Sequence, residues 1–223
     1  MLDFFKLKPE AFGLDISDLS MKIVNLKKRK DKFSLACFGE TMIKPGIING
    51  GEIQDEKELI KIIKTAIVKA MGEKIKTKYV VASLPEEKAF LQVIQMPRLS
   101  EDDLKSAIIY EAENYIPLPI EKVYLDFQIV TPLQNHLDHL DVLIAALPKQ
   151  TIDPYVNCLK SAGLKSIALE IESLSLARAL IKNELVVSPC LLIDLGATRT
   201  SFIIFSGSCL RFTSSIPISS ATF

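Results

Sequence analysis

Apolar and polar positions alternate weakly from Phe12 to Ile16, and again from Met21 to Lys27. Asp18 and Ser20 lie between, short polar residues of the kind that close a turn, so the pattern predicts a strand and its return. Phe33–Glu40 predicts a third strand, and the glycines and proline of 41–51 predict a loop. From Asp55 to Met71 the period changes. Leu59, Ile60, Ile62, Ile63, Ala66, Ile67 and Ala70 fall on one helical face, with Gly72 as a stop. Tyr79–Leu84 is a short apolar strand ended by Pro85. Three strands, a crossover helix and a further strand predict a mixed sheet with helices against it.

The second stretch repeats the elements in another order. Ala89–Gln95 alternates as a strand. Ser100 caps a helix running to about Tyr115, with Asp103 in the third position of a capping box, and Pro117 and Pro119 end it. Val123–Val130 and Asp141–Leu147 predict strands joined through a polar tip at 134–140. Thr151–Ala162 predicts a helix stopped by Gly163, and Lys165–Ile171 a strand. A helical pattern starts at Glu172 and runs through Leu174, Leu176, Ala177, Leu180 and Ile181. Leu191–Phe205 then predicts strand, tight turn and strand, with Asp194 at the end of the first, and 210–218 a third strand.

Composition narrows the class. Hydrophobic residues make up 48% of the 223, enough for a core. Lys+Arg and Asp+Glu are equal at 27 each, which argues against a broad nucleic-acid footprint. The one basic cluster, Lys27-Lys28-Arg29-Lys30, reads most simply as a solvated turn; contact with lipid headgroups or nucleic acid is the alternative. Cys37, Cys158, Cys190 and Cys209 have no metal-ligand spacing and sit in apolar stretches, as reduced thiols do in a cytosolic protein. The N-terminus lacks the apolar centre of a signal peptide, and no apolar run approaches the ~20 residues of a membrane span. A soluble, cytoplasmic protein is expected. His136 and His139, in the polar tip, are expected to face solvent.

Two hairpins hold the candidate chemistry. Asp15, Ser17, Asp18, Ser20 and Lys22 could form a phosphate loop: turn N–H groups face an anion, lysine supplies a point charge, and an aspartate acts through Mg²⁺ and its waters. A hairpin would return the Lys22 ammonium beside Asp15. An ordinary turn rich in Asp and Ser is the other reading. In the second hairpin Asp194 stands at a strand end, Gly196 allows close backbone approach, and Thr198, Thr200 and Ser201 add hydroxyls.

Taken together, these stretches resemble the phosphate loops of the actin–heat-shock-70–sugar-kinase superfamily. The whole chain resembles the PilM family of type IV pilus assembly proteins, which are FtsA-like. The resemblance rests on Phe12-Gly13-Leu14-Asp15-Ile16 with Ser20 and Lys22, and on Val80-Val81-Ala82-Ser83-Leu84-Pro85. It continues through Tyr110-Glu111-Ala112-Glu113-Asn114-Tyr115-Ile116-Pro117, then Glu170-Ile171-Glu172 with Leu176-Ala177-Arg178-Ala179-Leu180, and finally Ile193-Asp194-Leu195-Gly196-Ala197.

The resemblance implies an α/β, ribonuclease-H-like fold. Residues 1–84 would open subdomain 1A, 85–165 form an inserted FtsA-type 1C, 166–190 return to 1A, and 191–223 begin 2A. It implies ATP with Mg²⁺ held through Asp15 and Lys22 in one loop and Asp194, Gly196, Ala197, Thr198 and Thr200 in the other, with Asp15 and Asp194 on the metal side. It places Glu172 where the superfamily orients the attacking water; a first-turn carboxylate favoured by the helix dipole is the alternative. The partner implied is the N-terminal cytoplasmic tail of a PilN-like inner-membrane protein, in a groove between 1A and 1C lined by apolar side chains. Self-association is open, as it is for other actin relatives. The setting implied is the inner face of the bacterial inner membrane, in fimbrium biogenesis, twitching motility and competence. FtsA-type cell division and a type II secretion platform are the alternative settings. This sequence departs from the family at Ser17 and at Ser219-Ser220, where glycines are expected, and the family's second lobe continues further. The departures lead to an expectation of weak or absent ATP binding and ATPase activity, and favour an adaptor.

Overall fold

A computed structural model describes residues 9–30, 32–130, 138–182 and 186–220. The first strands are β1 (Phe12–Ile16), β2 (Ser20–Arg29) and β3 (Lys32–Met42). Two two-residue strands follow, β4 (Ile48–Asn49) and β5 (Glu52–Ile53), paired through Gly50-Gly51. β4 and its turn lie in the stretch 41–51 expected to be a loop, and β5 follows directly after it. Both glycines have positive φ, 56° and 75°, which a tight hairpin turn requires. Helix α1 (Glu56–Lys69) is capped by Asp55, whose Oδ1 accepts the Glu58 N–H at 3.0 Å. It ends two residues earlier than its apolar period suggests, because Met71–Gly72 pairs with β3 as a short strand, β6.

Then come β7 (Tyr79–Leu84), β8 (Phe90–Pro97), α2 (Glu101–Ala112), β9 (Val123–Val130) and β10 (His139–Pro148). The chain continues with α3 (Lys149–Ser161), β11 (Lys165–Ile171), α4 (Glu172–Leu180), β12 (Val186–Leu195), β13 (Thr200–Gly207) and β14 (Cys209–Ile216). Ser100 caps α2 as expected, accepting the Asp103 N–H at 3.3 Å. Its hydroxyl also donates to the Asp103 carboxylate at 2.6 Å, so the side chains bond to each other and not reciprocally to backbone.

These elements form two compact units. The first comprises 1–85 and 153–170, around a six-stranded mixed sheet ordered β11-β7-β1-β2-β3-β6. β1 runs antiparallel to β2 and parallel to β7. Phe12, Leu14 and Ile16 alternate into its core with Met21, Ile23, Val80 and Ala82. Leu59, Ile63 and Ala66, one stripe of α1, cover β2 and β3. Most of α3 belongs here too. Sequence order alone put it with the preceding strands, but Tyr155, 1% exposed, donates its hydroxyl to the Gly51 carbonyl at 3.0 Å. Cys158 lies against the Glu56 carbonyl, the start of α1.

The second unit comprises 86–152 and 171–223. Its antiparallel sheet β8-β10-β9 is covered on one face by α2, where Leu104, Ile108 and Ala112 meet Ile94, Val142 and Ile144. A smaller cluster of Val130, Leu143 and Cys209, with Leu174 packed on it, joins this sheet to the antiparallel sheet β12-β13-β14 and α4. His139 stands in β10, not in a tip; its side chain is largely buried, beside Asp138 and Asp141. His136 lies outside the described residues.

Candidate functional sites

The first loop is set by the β1–β2 register. Asp15 and Lys22 are cross-strand partners, and their charged ends stand 3.9 Å apart with both side chains open to solvent. Ser17 and Ser20 close the turn between them. The Ser17 N–H donates to the Ser20 carbonyl at 2.9 Å, the Ser17 hydroxyl to the same carbonyl at 3.1 Å, and the Ser20 N–H returns to Ser17 Oγ at 3.3 Å. Asp18 is buried. Its two oxygens accept the N–H groups of Gly50, at 2.8 Å, and Gly51, at 3.0 Å. Gly51 in turn accepts Tyr155, so a chain of bonds pins the loop to the β4–β5 turn and α3. Burial, with the Asp18 carboxylate nearby, pushes the Tyr155 phenol up, and it remains a donor. Burial likewise pushes the Cys158 thiol up to about 11. Of the five residues expected in this loop, Asp15 and Lys22 present charge outward, while Ser17, Ser20 and Asp18 hold the turn together.

The second loop lies in the other unit. Asp194 ends β12 opposite Ser201, half-buried, and Ala197 and Thr198 are exposed beyond it. Gly196 donates to the Arg199 carbonyl at 2.9 Å and accepts the Ser220 N–H at 2.9 Å. A Cβ there would stand 3.0 Å from that carbonyl, a close contact for any side chain at this turn. Thr200 is buried and donates to the Ile218 carbonyl at 2.6 Å.

Around this loop is an ionic cluster that the pattern of the sequence does not announce. Arg199 donates to Glu172 Oε2 at 2.9 Å and pairs through its other terminal nitrogen with Glu87. The three side chains are 12%, 18% and 20% exposed. Glu87 Oε2 is buried and has no hydrogen-bond partner among the described residues. Beside it Glu86, also buried, accepts the hydroxyls of Thr213 and Ser215, and Ser215 bonds Ser201. Glu172 therefore heads α4 next to a cation. The signals in the sequence were an arginine directly after the small residues Gly196-Ala197-Thr198 and the pair Glu86-Glu87 directly after Pro85. Both look like ordinary surface charge until the fold brings them together.

Each loop, taken by itself, fits phosphate in part. In the first, Asp15 and Lys22 present charge to solvent while Ser17 is engaged within the loop and Asp18 with the Gly50-Gly51 turn. In the second, Thr198 is exposed, while the Gly196 N–H is engaged within the loop and Thr200 with the Ile218 carbonyl. Among the described residues, no group of three or more His, Cys, Asp or Glu could hold a metal. Mg²⁺ typically needs fewer protein ligands, because it keeps its waters and binds phosphate.

The model of the family described as type IV pilus assembly protein PilM matches residues 13–214. A solved PilM–PilN type IV pilus biogenesis complex superposes with a TM-score of 0.81 at 26% identity, covering 96% of this chain and 63% of that one. The chain thus spans less than two thirds of that relative's length. The cytoplasmic domain of EpsL, an inner-membrane component of the Vibrio cholerae type II secretion system, gives 0.57 at 12% identity over 94% and 71%. The ethanolamine utilization protein EutJ of Carboxydothermus hydrogenoformans gives 0.51 at 12% over 95% and 53%. The mixed α/β fold is that of the actin-like ATPases.

Proposed function

The chain belongs to the PilM family of type IV pilus assembly proteins, and from that premise we propose that it is an assembly adaptor of the pilus platform. It receives the N-terminal cytoplasmic tail of a PilN-like inner-membrane protein and works at the inner face of that membrane. The observation that carries this reading is the superposition, over 96% of the chain, on a complex that contains PilN.

For ATP with Mg²⁺, the first loop would contribute Asp15 and Lys22, and the second loop Asp194 and Thr198. The metal supplies charge neutralisation on the phosphates. Turnover is not part of the proposal. Glu172, the residue that would orient water, is bound to the Arg199 guanidinium, so its carboxylate is already engaged. The adaptor reading is therefore favoured over an ATPase that times assembly.

The test is fluorescence anisotropy with a labelled peptide of the PilN tail from the same organism, with and without Mg·ATP. Saturable binding, lost on scrambling the peptide, is expected. No binding to folded protein at millimolar concentration, in either condition, would overturn the reading.

A further inference from the structure

The β2–β3 hairpin is unlike the rest of the surface. Cross-strand pairing puts Leu26 opposite Leu35 and Lys28 opposite Phe33. Alternation along each strand then places these four side chains on one face. The apolar three are open to solvent: Leu26 is 52% exposed, Leu35 56% and Phe33 69%. Lys28, Lys30 and Lys32 are exposed around them, and Lys30 makes the turn with φ of 55°. Lys27 is bound to Glu73, which brings the exposed Lys74 to the same end of the sheet.

The charge is concentrated in this unit. Residues 1–85 and 153–170 contain eighteen Lys and Arg against thirteen Asp and Glu, a net of +5; the remaining residues contain nine against fourteen, a net of −5. A neutral chain thus carries a basic unit whose hairpin end interleaves lysines with large apolar side chains. Nucleic acid would use the lysines but would leave Leu26, Phe33 and Leu35 in water. An anionic bilayer uses both, taking phosphate charge at the headgroups and apolar side chains at the acyl boundary. Among the described residues no helix is long and apolar enough to cross a membrane, so any contact made by these residues is peripheral.

We propose that the β2–β3 hairpin end, through Lys28, Lys30, Lys32, Leu26, Phe33 and Leu35, docks on an anionic phospholipid surface. It would set the orientation of the adaptor beside its membrane-anchored partner. The lipid contact does not depend on the partner reading, because vesicles contain no partner.

The experiment is sedimentation of the purified protein with liposomes of phosphatidylethanolamine and phosphatidylglycerol, against neutral phosphatidylcholine, across a salt series. Binding to anionic vesicles only, weakening with salt, is expected. K28E/K30E/K32E should lower partitioning by at least about a hundredfold, since loss of each lysine near the surface is worth roughly fivefold and reversal adds to it. F33S/L35S should lower it about tenfold or more while leaving the salt dependence in place. All these side chains are exposed, so circular dichroism of the variants should match the parent. The proposal falls if the folded parent does not sediment with anionic vesicles. It falls equally if the charge reversal leaves binding unchanged, or if the hairpin's effect appears only in retention of DNA or RNA or in self-association.

Discussion

Asp18 separates two readings of the first loop. As a phosphate-loop residue it would be dispensable to folding and needed for nucleotide. As the structure places it, the carboxylate satisfies two backbone N–H groups at the Gly50-Gly51 turn, one of them fully buried. Hydrogen bonds to a charged group contribute roughly 1.5–3 kcal/mol each, and a buried donor left alone costs its desolvation. The Gly50 end is partly open and can recover water, so Asp18→Ala should cost about 3 kcal/mol. For a chain of this size that lowers Tm by about 6–12 °C. Asp18→Asn keeps the shape but offers one acceptor oxygen and turns an NH₂ toward the second N–H, so it should recover less than half of the loss. Asp15→Asn, at an exposed carboxylate in an exposed pair, should cost under about 1 kcal/mol. Urea titrations of the four proteins by circular dichroism, with m unchanged, measure these differences. The reasoning is refuted if Asp18→Ala is no more destabilising than Asp15→Asn. If it instead abolishes Mg·ATP binding at unchanged stability, Asp18 belongs to the ligand.

Other substitutions test the remaining geometry. Gly72→Ala should lose about 2–3 kcal/mol of stability by denaturant melt, because φ is 98° and the new Cβ would stand 2.4 Å from the Ala36 carbonyl. Arg199→Ala should lose about 2–3 kcal/mol by leaving Glu87 and Glu172 uncompensated; Glu87→Gln in the same chain should give some back, so a double-mutant cycle must be non-additive. With the folded Cys158 thiol pushed from 9.0 to about 11, its contribution to stability is intact below pH 9 and disappears as pH rises to about 11. Between pH 8 and 10.5 that loss is about 2 kcal/mol, and it should vanish in Cys158→Ala when urea midpoints at the two pH values are compared. In native protein at pH 8 Cys190, the one cysteine not buried, should react with a thiol reagent well before the other three.

Period carried most of the fold. β1, β7, β9 and β11 match the predicted strands end to end, because each alternates or stays apolar between clear breakers. The β4–β5 hairpin was illegible: strands of two residues have no period, and what holds it is the positive φ of Gly50 and Gly51 together with bonds to the distant Asp18 and Tyr155. The place of α3 was hidden for a different reason. Tyr155 is one apolar-looking residue of an amphipathic stripe, and nothing local says that its hydroxyl will find a carbonyl 104 residues earlier. Within the candidate loops, the Asp15–Lys22 approach follows from a hairpin of that length, and the structure has it. The Glu87–Arg199–Glu172 cluster joins three distant segments, and charge identity without proximity cannot reveal it.

The bond from Tyr155 to Gly51 also orders events during synthesis. The first unit is discontinuous in the chain: its sheet takes β11, and its first loop takes support from α3, only after residues 86–152 have been made. On the ribosome, β1–β3, α1 and β7 therefore wait with one edge of the sheet unpaired. The strands and helix of 86–152 meanwhile form local antiparallel pairs that need nothing from further on. The loop that faces Lys22 toward Asp15 precedes residues 86–152 in the chain, yet it is among the last parts of its unit to be fastened.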